Sequence, residues 1–215
     1  MNNGGIMLYL ITDCEDKTLG DVQWSENATN EQTKNPNYLF SVYNDPIVAH
    51  MLNAAYEGYK NPNIWIVEGE IKESYGFRHE CMKLKSIKKI DISPPSEMQR
   101  ICFAILCSIH LVSNRIYKDW VKNYLSGANR TKEEAENVMK LLSEIKIGES
   151  DNHQDEYVGA AIASLMAVTV DANMFTANAA HRSYYDSPLE SRINLEKLAN
   201  IAVKLSPEDL ASVLS

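Results

Sequence analysis

What the sequence has little of narrows the field first. A membrane-spanning helix needs roughly 20 consecutive apolar residues, and no such run occurs. The opening residues, MNNGGIMLYLIT, carry no basic stretch and only a brief apolar one, so no secretory leader is expected. Positive charge is scarce: 21 Lys and Arg stand against 29 Asp and Glu, a net charge of −8. A negative chain repels phosphate backbones, which argues against nucleic acid as a partner. The four cysteines, Cys14, Cys81, Cys102 and Cys107, make no CxxC pair. They suit small buried hydrophobes in a reducing, cytoplasmic setting better than a disulfide framework. His79 lies near Cys81, but no second His or Cys pair has metal-ligand spacing, so no metal is expected. G-x-S-x-G, Walker A and G-x-G-x-x-G patterns are also missing, and no cofactor is expected.

What is present is organised around Ser96–Val112, SEMQRICFAILCSIHLV. From Ile101 to Val112 only Ser108 and His110 are clearly polar, so this helix should run through a core. Pro94-Pro95 breaks whatever precedes it, and Ser96 with Gln99 makes a capping box. Further start signals follow: Asn114 before Arg115–Leu125, Thr131 with Glu134, Ser187-Pro188-Leu189-Glu190 and Ser206-Pro207-Glu208-Asp209. The stretch Tyr157–Tyr185 reads as one long helix, rich in small residues that permit close helix packing.

The earlier residues mix both element types. Met7–Ile11 has strand length, and Thr12–Asn37 is polar and reads as a long loop. Tyr38–Tyr43 is aromatic and β-prone. Asp45-Pro46 opens a short helix with Val48, Met51, Leu52, Ala55 and Tyr56 on one face. Asn63–Ile71 is the clearest strand, apolar on both faces and so central. Cys81–Ile92 is a strand carrying Lys83, Lys85, Lys88 and Lys89, which fits either a protected sheet edge or an anion site. The expected fold class is α+β: a small N-terminal α+β domain, residues 1–93, followed by an all-α helical bundle, residues 94–215.

Arg100, Phe103-Ala104, Cys107, Trp120, Leu125-Ser126-Gly127 and Asn129-Arg130-Thr131 form a pattern that resembles alanine-rich helical proteins of uncharacterised function in tailed bacteriophages. More loosely, it is similar to a family of proposed immunity proteins. Phe40, Asn44-Asp45-Pro46, Ala49, Tyr56 and Trp65–Ile71 are similar to the domain that often precedes those helices. The resemblance implies a phage setting in a host cytoplasm, and no chemistry. The layout of Tyr9, the Tyr38–Tyr43 strand and a later glutamate is also similar to ADP-ribosyltransferase-like folds.

Several side chains are candidates for a site. Glu68 and Glu70 project to one strand face and could serve as paired carboxylates or as a solvated edge. Arg100 and Arg130, with Arg115 and Arg182, have the chemistry to hold phosphate, while Arg130 could equally brace a helix junction. His50 could face a cleft or solvent. The candidate ligand-binding set is therefore Tyr9, Tyr43, His50, Glu68, Glu70, Arg100 and Arg130. The expected function is non-catalytic binding, sequestering a nucleotide-like signal or a host protein. The alternatives are an ADP-ribosyltransferase-like enzyme, with Tyr9, Tyr43 and a glutamate lining a split two-sheet cleft, or an assembly component. In the last, Tyr117, Tyr124, Tyr184 and Tyr185 would form a homo-oligomer interface.

Overall fold

The structure is a computed structural model that describes residues 7–31, 39–144, 152–185 and 192–214; of residues 152–158, 213 and 214 it describes the backbone alone. Seven strands precede or follow the first of eight helices among these residues. In order they are β1 (Leu8–Thr12), β2 (Lys17–Thr18), β3 (Val22–Gln23), β4 (Thr29–Glu31), β5 (Phe40–Tyr43), α1 (Pro46–Tyr56), β6 (Asn63–Ser74) and β7 (Arg78–Ile90). Then come α2 (Glu97–Ile109), α3 (Arg115–Leu125), α4 (Lys132–Glu144), α5 (Asn152–Thr169), α6 (Ala172–Tyr185), α7 (Leu195–Lys204) and α8 (Pro207–Leu214).

The expected fold class requires correction. The chain is a mixed fold of eight helices and a five-stranded antiparallel sheet in which helix and strand interleave, rather than an α+β module set before an all-α bundle. The interleaving has a local cause. Asp45 accepts hydrogen bonds from the Ile47 and Val48 amides, 2.7 and 3.1 Å, and Pro46 sits in the first turn. These signals force a helix between two strands of the same sheet. Proximity of Cα atoms divides the chain into two compact units, residues 1–94 and 95–215.

In the first unit the strand pairings form a closed circuit. β1 pairs with β5 and with β6, β5 pairs with β7, and β6 pairs with β7 as a long hairpin. One face of these strands supplies a single buried cluster: Leu8, Leu10, Phe40, Val42, Trp65, Val67, Cys81 and Leu84, with Trp24 packed edge-on to Phe40 at 5.3 Å. The alternation of strand side chains puts Tyr9, Ile11 and Tyr43 on the other face, and α1 packs against β1 and β5. The hairpin bends through three register irregularities between Ile66 and Glu73, as bulges do. Gly69 is required there: a Cβ would collide with the Leu84 side chain and stand 2.6 Å from the Lys83 carbonyl oxygen.

β7 is not a sheet edge. It is paired with β6 on one side and with β4 and β5 on the other. Two of its four lysines meet carboxylates, Lys83 with Glu31 at 3.3 Å and Lys89 with Asp16 at 2.9 Å. The Asp16 carboxylate also accepts from Asn63 Nδ2 and Trp65 Nε1, 2.8 and 3.0 Å, which pins the polar 13–24 segment to the sheet. That part of the expected long loop contains the β2–β3 pairing, turned by left-handed backbone at Asp16, Gly20 and Asp21.

In the second unit α2 is buried from Arg100 to Ser108, and both bonds of its capping box are made, Ser96 N to Gln99 Oε1 and Gln99 N to Ser96 Oγ. The expected single helix over Tyr157–Tyr185 is two. Val170 and Asp171 interrupt it, and the Asp171 carboxylate accepts from the Asn173 and Met174 amides, 2.7 and 3.0 Å, to start α6. The Ser187–Glu190 capping signal lies outside the described residues, and α7 instead starts on Asn194, whose side chain accepts from Lys197 N at 2.8 Å. Tyr117 on α3 joins Ser108 of α2 and Ser164 of α5 through its hydroxyl, at 2.6 and 2.7 Å.

Candidate functional site

β1 and β5 share only two residue pairs, Tyr9 with Tyr43 and Leu10 with Val42. Beyond them each strand keeps its other partner. β1 follows β6 to Thr12, and β5 follows β7 back to Phe40. A cleft of about 110 Å³ opens where the two part. Leu10 and Ile11 form one wall, and Leu39, Phe40 and Ser41 the other. Thr18 and Leu19 close one end, and Tyr56, Glu57 and Arg78 supply the rim. Drug-sized pockets run to about 300–1,000 Å³, so this cleft admits one ring or one head group.

The polar groups of the cleft are held in place. Arg78 Nη1 donates to Ser41 Oγ at 3.1 Å, and Nη2 donates to Glu80 Oε1 at 3.2 Å. The guanidinium lies over the rings of Tyr56 and Tyr75, 4.6 and 5.1 Å from their centroids, an attraction strengthened by partial desolvation. Asn44 links the end of β5 to the β6–β7 turn, which sets where Arg78 begins. Its Nδ2 donates to the Gly76 carbonyl at 2.9 Å, and its Oδ1 lies 2.7 Å from His79 Nε2. Glu57 follows the last turn of α1, where the Glu57 and Gly58 amides both donate to Asn53 O, and Gly58 turns the chain at φ +68°. Burial raises the Glu57 carboxyl above its ordinary value, while a hydrogen bond from Ser41 and the Arg78 charge pull it down. Tyr59 accepts from Leu19 N at 2.8 Å, which fastens the end of the cleft, and burial pushes its phenol up to about 12.

Of the residues expected at a site, Tyr9 and Tyr43 are register partners across β1 and β5, and neither lines the cleft. Tyr43 is fully buried, its hydroxyl has no hydrogen-bond partner, and burial raises its pKa well above that of a free phenol. His50 is buried on α1. Glu68 and Glu70 are exposed on β6, Glu68 opposite Lys85, and they do not border the cleft. The described strands form one five-stranded sheet and one two-stranded sheet, and the cleft between β1 and β5 is lined by neither Tyr9 nor Tyr43.

Arg100 and Arg130 belong to the second unit. Arg100 is buried on α2, burial lowers its pKa, and its carbonyl accepts from Thr176 Oγ1 at 2.9 Å. Arg130 donates to the Tyr124 and Leu125 carbonyls, 2.8 and 3.0 Å, and to Glu208 at 2.6 Å. It therefore caps the end of α3 and ties it to α8. Of the tyrosines expected at an oligomer interface, Tyr117 and Tyr124 are buried within their own unit.

Sequence reasoning missed Ser41, Glu57 and Arg78. A serine in an aromatic strand and a glutamate just past a helix end are weak signals alone. Their meeting depends on where β1 and β5 stop pairing. No group of three or more His, Cys, Asp or Glu among the described residues is placed to hold a metal ion, and no described helix is long and apolar enough to cross a membrane. No family model, no curated protein and no solved structure matches this chain.

Proposed function

We propose that the protein is a non-catalytic binding protein that sequesters a nucleotide-like small molecule, and that the cleft between β1 and β5 is its site. The observation that supports this reading is the joint placement of Ser41, Glu57, Arg78 and Tyr56 on a concave surface. An aromatic ring with a fixed guanidinium laid over it, and a carboxylate beside them, are groups that orient a heteroaromatic ligand at a rim. The Ser41 hydroxyl accepts from Arg78, a positioning role that needs no chemical step. The resemblance to phage proteins supplies the setting: a soluble factor in the host cytoplasm that counteracts defence by holding a signal.

Titration calorimetry of the full chain with a panel of cyclic nucleotides and ADP-ribose derivatives tests this. At least one member should give saturable heat, lost in the Arg78→Met variant. Absence of heat with every member overturns the reading.

A further inference from the structure

The sign of the charge at the cleft limits what can enter it. Among the lining residues Arg78 contributes one positive charge and Glu57 one negative, while Glu80 lies outside the lining and pairs with Arg78. Glu80 already engages Arg78 at 3.2 Å, so a second anion gains little there. Glu57 and Arg78 both border the open volume, but Arg78 is already engaged by Ser41, Glu80 and the rings of Tyr56 and Tyr75, so Glu57 is the charge a ligand would meet. A carboxylate has about four lone-pair sites, and these call for donors. The walls call for flatness, since the cleft runs between the Leu10–Ile11 and Leu39–Ser41 segments of two neighbouring strands.

We infer that the cleft selects a planar group with two adjacent N–H donors on one edge, received in parallel by the Glu57 carboxylate. The inference rests on the binding function proposed above and names its ligand class. Two sources carry that edge, a guanine base through N1–H and its exocyclic amine, or a guanidinium. Burial supports the assignment, because a partly desolvated carboxylate gains more from two N–H donors than one in water. The small volume supports it too: the base enters, and the sugar and any phosphate remain outside, away from Glu57 and Glu80.

The test is calorimetry of the full chain with guanosine, inosine, adenosine, methylguanidine and inorganic phosphate, on the parent and on Glu57→Gln. Guanosine should bind at least about tenfold more tightly than inosine, which lacks the exocyclic amine. A carboxamide presents one acceptor and one donor, so Glu57→Gln should weaken guanosine, which loses its second donor contact, and gain adenosine, whose edge pairs a donor with an acceptor. That gain cannot come from misfolding, and circular dichroism of the variant checks the fold. Methylguanidine binding without any nucleoside supports the inference and assigns the guanidinium source, while failing the nucleotide reading. Equal binding of all nucleosides, or nucleoside binding unchanged in Glu57→Gln, overturns the inference and leaves the nucleotide reading standing. Phosphate binding alone, or no binding of guanosine or methylguanidine, overturns it as well.

Discussion

Removing the Tyr117 hydroxyl should weaken the second unit by about 1–2 kcal/mol. Tyr117 is fully buried, and its oxygen lies 2.6 Å from Ser108 Oγ and 2.7 Å from Ser164 Oγ. The three hydroxyls hold three protons. Ser164 also reaches the Ala161 carbonyl at 2.8 Å, and Ser108 the Ala104 carbonyl at 2.9 Å. In the Tyr117→Phe variant both serines can therefore donate to their own helices, so no orphaned donor adds to the cost. What is lost is the two bonds to Tyr117, each contributing about 1 kcal/mol net. The ring stays, together with its stacking on Trp120 at 5.7 Å between centroids, so no large cavity forms. Burial holds the phenol at a pKa of about 12, so its ionisation plays no part at pH 7.

Urea unfolding followed by far-ultraviolet circular dichroism reads the change, because seven of the eight described helices lie in this unit. With an m of about 2 kcal/mol/M, the midpoint should fall by about 0.5–1 M without a change in m. The double-mutant cycle with Ser164→Ala should return a coupling of about 0.5–1 kcal/mol. A midpoint shift below about 0.2 M, or costs of the two substitutions that simply add, would refute the three-hydroxyl link.

Two further outcomes follow from the first unit. Gly69→Ala should cost about 2–3 kcal/mol, because the new methyl meets Leu84 and the Lys83 carbonyl on the partner strand; a thermal midpoint within 1–2 °C of the parent, roughly the measurement scatter expected for no change in ΔG, would show that the hairpin relaxes freely. Glu57 carries a raised carboxyl pKa in the presence of Ser41, Arg78, Glu80 and the phenols of Tyr43, Tyr56 and Tyr59. The folded state then binds its proton more tightly than the unfolded chain, so its contribution favours folding below the ordinary value of 4.5 and is lost as pH rises through the folded value. Glu57→Gln should accordingly flatten the stability profile over that interval, and an unchanged slope of stability against pH would contradict it.

Helix starts were the most legible part of the sequence, and for a chemical reason. A cap is a contact between residues three apart, so Ser96 with Gln99, Asn114 with Tyr117 and Ser206 with Asp209 need no knowledge of the fold. Asp171 was overlooked because it lies within a long run of helix-compatible residues, where a single N-cap is easily outweighed. The lysine-bearing strand β7 misled in the opposite sense. Lysines report exposure of one face, and a strand can be exposed on one face while paired along both sides. The short pairings of β2, β3 and β4 were also hidden, since polar strands of two or three residues lack an apolar period. The cleft was least legible, because it exists only where two strands distant in sequence cease to pair, and no local pattern encodes the end of a non-local ladder.

The strand circuit of the first unit also imposes an order on its assembly during synthesis. β1 finds its longer partnership in β6, and β5 finds its longer one in β7, some 40 positions downstream. The one bond between the early strands is two pairs long, too little to hold alone. A nascent chain halted before position 78 would hold both walls of the cleft but lack the strand that pairs with β5 and β6, leaving apolar strands bare to chaperones and to one another. The ring forms only when its last strand leaves the ribosome, so truncation from that side should abolish the unit outright rather than trim it.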